Sequence, residues 1–340
     1  MKTKLRKTYN ILIRLLVVVF TIIFIYDQLF YRKDLSSLLN DFNSITSGFL
    51  NNILLIIAFG LIPVNLVLES VKWKYLIDKL EKVSFPRAVK AVFAGISVSM
   101  IMPNRVGDYL GRVFILKKAD RLQAVLSTIL GSLAQLLTTL IYGLLALVFY
   151  FPEYLDISVR FNFWVYVGVI IAASISIFVM VFAYLNFSVF SILIRKISGR
   201  YYSRIEKYSE VFSWYNQKEL LNVLLLSMVR YFVFSMQFFL LLLVFGIKID
   251  YITSMMLIAV VYFLMTIIPT IALTEIGVRG SVSIYVFQHH FEFLGLYNPE
   301  VALGVVSASS ILWLFNLVLP AVIGTLFVFN LKFFRKNNDN

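Results

Sequence analysis

IMPNRVGDYLGRVFI, residues 101–115, and IIPTIALTEIGVRGSVSIYVF, residues 267–287, share a pattern that decides how this chain is read. Both are apolar runs broken by a proline, at Met102-Pro103 and Ile268-Pro269. An acid follows five or six residues later, Asp108 and Glu275, and an arginine stands four residues after each acid, Arg112 and Arg279. An acid at i and a base at i+4 lie on one face of a helix and can pair. Gly107, Gly111, Gly277 and Gly280 sit beside them, allowing backbone or a head group to approach closely. Proline lacks an N–H and disfavours helix in the residue before it. Each run is therefore expected to unwind at its proline and restart as a half-helix, whose free N–H groups near Asn104 and Thr270 form an anion site.

The rest of the chain places these runs in a membrane. Of 340 residues, 60% are hydrophobic and only 14% charged, with a mean hydropathy of +0.87, too apolar for a soluble domain. About 20 helical residues cross a ~30 Å hydrocarbon core. Full-length spans are predicted from about residue 11 and over 49–69, 122–150, 163–190, 220–245 and 300–329. The halves of 88–116 and 252–287 on either side of their prolines are expected to be re-entrant hairpins rather than spans. The expected fold is thus all-α and polytopic, with six full spans and two proline-broken hairpins in a single integral membrane domain over 1–340. Span, span, hairpin, span recurs in 11–150 and 163–329 with opposite orientation, the inverted repeat common among transporters. No soluble segment is long enough for a catalytic domain, and the absence of cysteine excludes disulfides and thiolate chemistry.

A formal charge of +13 raises the question of nucleic acid, and its placement answers it. With the N-terminus inside, 23 of the 31 Lys and Arg fall in segments on the cytoplasmic side and only Arg32, Lys33, Arg160 and Lys248 outside. That asymmetry is the positive-inside signature, so no nucleic-acid partner is expected. Both termini are expected in the cytoplasm and the protein in the inner cell membrane.

The other four basic residues, Arg105, Arg112, Arg230 and Arg279, lie within apolar stretches alongside Asp108 and Glu275. A charge at a helix centre costs about 2.5–3.5 kcal/mol, so six uncompensated charges would cost roughly 18 kcal/mol. That exceeds the ~5–15 kcal/mol stability of a typical fold. The six must be paired, hydrated or used. Two readings follow: intrahelical ion pairs that let the breaks exist, or the lining of a polar cavity for an anionic head group, with guanidinium forks suited to phosphate.

The stretch VKWKYLIDKLEKVSFPRAVKAVFAGISVSMIMPNRVGDYLGRVFILKK, residues 71–118, resembles the lysylphosphatidylglycerol synthase transmembrane family, the flippase-like integral membrane proteins. The match lies in an aromatic and basic cluster after the second span, followed by Pro103, Arg105, Gly107, Asp108 and Arg112, and later by Pro269, Glu275 and Gly277. Two departures stand out: the first acid, usually Glu, is Asp108, and the late glycine-rich run is replaced by Thr270, Ile271 and Ala272. The resemblance implies movement or binding of an anionic, modified or polyprenyl-linked lipid. The family's bifunctional members carry a cytosolic aminoacyl-transferase domain. With FFRKNNDN as its last residues, this sequence leads us to expect lipid handling without lipid aminoacylation.

The expected function is that of a lipid carrier, not an enzyme. Arg112 and Arg279 would hold the head group, while Asp108 and Glu275 hold those arginines in the empty state or carry a coupling proton. A membrane-embedded transferase with Asp108 or Glu275 as base, and a non-transporting lipid-binding accessory subunit, remain alternatives. No cofactor is expected; a homodimer or a separate lipid-modifying enzyme is a conceivable partner. Four smaller readings complete the set. Residues 201–215 read as an amphipathic helix anchored on the cytoplasmic surface. His289-His290 with Glu292 read as a solvated turn without metal. Glu69 and Asp27 are expected to reach the interface from span ends, and Arg230 to face either a cavity or a carbonyl.

Overall fold

The computed structural model describes residues 48–100, 102, 106–154, 163–198, 202–269 and 272–328. All its elements are helical, with no strand among the described residues. Along the chain they are α1 (Phe49–Ile77), α2 (Phe85–Ser99), α3 (Val106–Val113), α4 (Arg121–Tyr154), α5 (Phe163–Leu185), α6 (Ser188–Ser198), α7 (Tyr202–Ser209), α8 (Gln217–Val244), α9 (Tyr251–Ile267), α10 (Ala272–Phe293), α11 (Pro299–Trp313) and α12 (Leu319–Val328). A 3₁₀ turn, Glu210–Ser213, precedes α8, and a π-helical segment, Leu314–Val318, joins α11 to α12. Five helical stretches are long and apolar enough to cross a membrane: Phe49–Ile77, Arg121–Tyr150, Phe163–Leu185, Gln217–Val244 and Pro299–Val328. They coincide with the five spans predicted within the described residues. The predicted first span lies outside them.

Local chemistry sets many of the helix ends. Asn216 accepts from the Glu219 N–H at 2.9 Å while the Glu219 carboxylate accepts from the Asn216 N–H, a reciprocal cap at the start of α8. Asp250 and Asn298 cap α9 and α11 in the same sense. Pro86 and Pro299 occupy first-turn positions, where a missing N–H costs nothing. α8 and α10 are followed by Gly246 and Gly295 at φ +76° and +67°, a backbone state that favours glycine.

Helices in lipid gain little from apolar burial against one another and associate instead through close packing of small residues. α8 lies along α1, α12 against α2, α9 against α4, and α10 against α11. A Cβ at Gly324 on α12 would collide with the Phe93 carbonyl and the Ser97 hydroxyl of α2. One at Gly304 on α11 would come within 2.8 Å of the Phe245 carbonyl. The main core gathers Phe238, Leu241, Leu257, Ile258, Val261, Phe287, Val305 and Leu312 from α8 to α11. α5 stands apart, with Tyr184 its one buried residue and Phe178, Val179 and Phe182 turned outward.

Three expectations need correction. α10 continues to Phe293, so His289, His290 and Glu292 are helical rather than in a turn, and His290 is buried beside Phe291. Residues 202–213 form α7 and the 3₁₀ turn, and of the expected anchors Phe212 and Tyr215 pack in a protein cluster instead of on a lipid surface. Val211 is buried, and the Tyr215 hydroxyl donates to the Leu76 carbonyl at 2.8 Å. Tyr201 lies outside the described residues. Finally, α1 does not end at its first charge but runs through Glu69, Lys72 and Lys74 to Ile77.

Candidate functional site

Asn65, Glu69, Lys72, Trp73 and Leu76 share one face of α1, with Lys72 and Trp73 three and four residues after Glu69 and Leu76 four and three after them, and all five are buried. The stripe faces α3, α4 and α8. Glu69, only 7% exposed, is the hub. Its Oε1 lies 2.6 Å from Arg112 Nη1 on α3, and its Oε2 lies 2.9 Å from Lys72 Nζ and 3.2 Å from Arg230 Nη1 on α8. Three cations thus surround one carboxylate, which is why an acid can sit inside a span instead of reaching the interface. Arg112 also pairs with Asp108, donating Nε to Oδ1 at 2.8 Å and Nη2 to Oδ2.

Around this hub runs a chain of amides. Arg230 Nε donates to Asn65 Oδ1 at 2.7 Å and Nη1 to Gln135 Oε1 at 3.1 Å. Asn65 donates to Asn316 at 3.2 Å, Asn316 to Gln237 at 2.7 Å, and Gln237 to the Ala58 carbonyl at 2.8 Å. Asn316 is in the π segment, whose widened turn falls beside the polar cluster as such turns frequently do. The Trp73 indole N–H donates to Thr128 Oγ1 at 3.1 Å and holds the end of α1 against α4.

The two arginine-bearing hairpins are built differently. α2 and α3 cross in backbone contact. A Cβ at Gly111 would lie 2.7 Å from Gly95 Cα and 2.8 Å from the Ala94 carbonyl, and one at Gly107 would meet the Val98 carbonyl. A Cβ at Gly95 would collide with Asp108 and approach Arg112 Cγ at 2.8 Å. These glycines do what the sequence asked of them. Gly277 and Gly280 in α10 do not: nothing lies within 4 Å of a Cβ at Gly277, and only Val306 Cγ1 at 4.0 Å meets one at Gly280. Glu275 and Arg279 pair as expected, with Oε1 and Nη2 3.0 Å apart, and both are buried. Arg279 Nε and Nη1, however, are buried without a hydrogen-bond partner.

Between the hairpins lie two adjoining cavities of about 360 and 730 Å³. Both are lined by Gln135, Thr139, Arg230, Thr266 and Arg279. The smaller reaches the charged hub through Asn65, Glu69, Lys72, Asp108, Arg112 and Asn316. The larger extends past Tyr231, Phe234, Tyr262, Met265 and Ile267 to Ile268 and Pro269 at the break between α9 and α10. Four bases, Lys72, Arg112, Arg230 and Arg279, face three acids, Glu69, Asp108 and Glu275, across the pair. Such a chamber has a polar, net cationic end and an aromatic and aliphatic end.

Asp108 and Arg112 line the smaller cavity, Glu275 the larger, and Arg230 and Arg279 both, so that Arg230 faces the cavity side of its two options. Pro103, Asn104, Arg105 and Thr270 lie outside the described residues. Glu69, Lys72, Asn65, Gln135 and Asn316 were missed. Lys72, counted above toward the cytoplasmic side, is 2% exposed inside the hub. The available signal was the spacing of Asn65, Glu69 and Lys72, which puts three polar residues on one helical face.

Outside the spans, a separate carboxylate ties loops together. Glu81 accepts from the backbone N–H groups of Lys117, Lys118 and Ala119 and from Arg87 at 2.6–3.1 Å. Partial burial pushes its carboxyl up, but these donors outweigh it and hold it at about 2. Lys207 and Asp120, 2.6 Å apart, link α7 to the start of α4, and that carboxylate raises the lysine above its ordinary value. No group of three or more metal-ligating side chains occurs among the described residues.

No curated protein and no solved structure matches this chain. The model of the lysylphosphatidylglycerol synthase TM region matches residues 11–290, and the spans and buried polar hub described above lie within that reach except for the last span. The chain is an integral membrane protein that belongs to the lysylphosphatidylglycerol synthase TM region family.

Proposed function

We propose that the protein is a flippase-like carrier that takes an anionic lipid through the chamber between its two hairpins, without itself catalysing lipid modification. The observation that carries this reading is the polarity of the chamber, cationic where Lys72, Arg112, Arg230 and Arg279 converge and apolar where Phe234, Met265 and Ile267 lead to the α9–α10 break. A phospholipid has the same division, and a buried site of net positive charge favours an anionic head. The sequence order span, hairpin, span flanking each proline-broken run supports an inverted repeat of 11–150 and 163–329, in which the two hairpins rock against the spans. The distribution of Lys and Arg supports a cytoplasmic membrane with both termini inside.

The test is leaflet exchange in liposomes holding the purified protein, with tail-labelled phosphatidylglycerol or phosphatidylcholine and a probe that reaches head groups from one side. Exchange of phosphatidylglycerol at least ~5-fold faster than phosphatidylcholine is expected. No exchange of either lipid, with saturable phosphatidylglycerol binding retained, would replace the carrier by a binding subunit or by a transferase lacking its donor.

A further inference from the structure

We propose that Arg279 takes the phosphate of the ligand and that Arg112, its counterpart in the first hairpin, does not. The sequence treats the two alike, each four residues after an acid in a proline-broken run. Their surroundings differ. Arg112 donates from Nε, Nη1 and Nη2 to two carboxylates, Asp108 and Glu69, so its charge is fully matched and its fork is held by α1 as well as α3. A phosphate there would have to displace one of those carboxylates, leaving an acid buried and unpaired. Among the described residues Arg279 meets a single carboxylate, through Nη2. Its Nε and Nη1 have no partner, although the residue is only 8% exposed and lines both cavities.

A buried donor left without a partner costs about 1–3 kcal/mol, more when charged. Two such nitrogens belong to a guanidinium whose residue lines a 730 Å³ cavity, within reach of an acceptor that enters it and shifts the side chain. A phosphate ester supplies acceptor oxygens and a negative charge beside Arg279 and Arg230, which lines the same two cavities. Tyr231, Phe234, Met265 and Ile267 beside it would receive the acyl portion. The ligand class is thus a phosphate ester with an apolar tail. Glu275 then acts as a competitor that holds Arg279 when the site is empty. The tail rests on the carrier reading above; the anchor does not.

Titration calorimetry on the full chain in detergent separates these parts, using dihexanoylphosphatidylglycerol, the uncharged dihexanoylglycerol and glycerol 3-phosphate as probes. Glu275→Gln removes the competitor and is expected to tighten phosphatidylglycerol binding about 3-fold or more. Adding Arg279→Gln to it is expected to weaken binding at least 10-fold relative to Glu275→Gln while leaving dihexanoylglycerol unchanged. Asp108→Asn with Arg112→Gln, which alters the charge around the chamber but not the anchor, is expected to weaken binding far less than Glu275→Gln/Arg279→Gln does, and an equal loss would overturn the choice of Arg279 over Arg112. Weaker binding in Glu275→Gln would overturn the proposal, because an ion pair that only supports the fold predicts loss in that variant. Wild-type affinity in Glu275→Gln/Arg279→Gln would overturn it as well. Equal, Arg279-dependent affinity for glycerol 3-phosphate and the lipid would support the anchor and remove the tail from the ligand. Arg279-dependent lipid binding without leaflet exchange would keep the anchor and remove the carrier.

Discussion

The first hairpin is a clasp, and the second pairs more loosely around an arginine with two unpartnered nitrogens. α2 and α3 touch backbone to backbone at Gly95, Gly107 and Gly111, and Arg112 is matched by a carboxylate of its own helix and one from α1. α9 and α10 meet without such contact at Gly277, and Arg279 is matched by its own helix alone. Equal sequence patterns thus give unequal sites because the partner that decides the outcome, Glu69, is 43 residues from Arg112 in the chain and has no equivalent paired with Arg279 among the described residues. A locked half and a half-open half suit the proposed carrier, with its ligand on the open side.

The comparison breaks first at the hub. Glu69→Ala leaves Lys72, Arg112 and Arg230 facing one another around a removed charge, and is expected to destabilise the protein by about 3–5 kcal/mol. Thermal unfolding in detergent should show the drop, and a midpoint within a degree of wild type would dissolve the clasp. Gly111→Ala forces apart the Gly95 and Ala94 backbone and is expected to cost about 1–3 kcal/mol, read in the same assay.

Glu81 sharpens the picture outside the membrane. Its folded value of about 2 is depressed below the ordinary 4.5, so its contribution is present above about 4.5 and lost as pH falls toward 2. Glu81→Gln is expected to cost about 1–2 kcal/mol at neutral pH, a difference that disappears as pH falls through about 2. A pH-independent difference between variant and wild type would contradict this. The smallest effect has the opposite sign. Gly277→Ala meets open space in a helix interior and is expected to stabilise by about 0.5–1 kcal/mol, whereas a loss would place an unseen neighbour beside α10.

Much of this architecture is legible in the residues because membrane spans are declared by length and apolarity, and the two acid–arginine pairs by a spacing of four. Asp108 with Arg112 and Glu275 with Arg279 are local facts, and local facts survive folding. Glu69 and Lys72 read as the end of a span because a charge in a span is costly until its partners are known, and those partners come from α3 and α8. His290 read as a turn residue for a related reason. Only the packing of α10, with Phe291 beside it, reveals a helix that continues past the apolar run. Asn316 gave no signal, since a π turn leaves no pattern in an apolar span.

The central claim is that the ligand passes through the chamber, and filling the chamber without touching its charges tests that most directly. Thr139 lines both cavities, half-buried on α4. Leaflet exchange of phosphatidylglycerol in liposomes is predicted to fall at least 10-fold in Thr139→Trp, with folding and membrane insertion intact. Exchange at the wild-type rate in that variant would mean that lipid does not move between these hairpins.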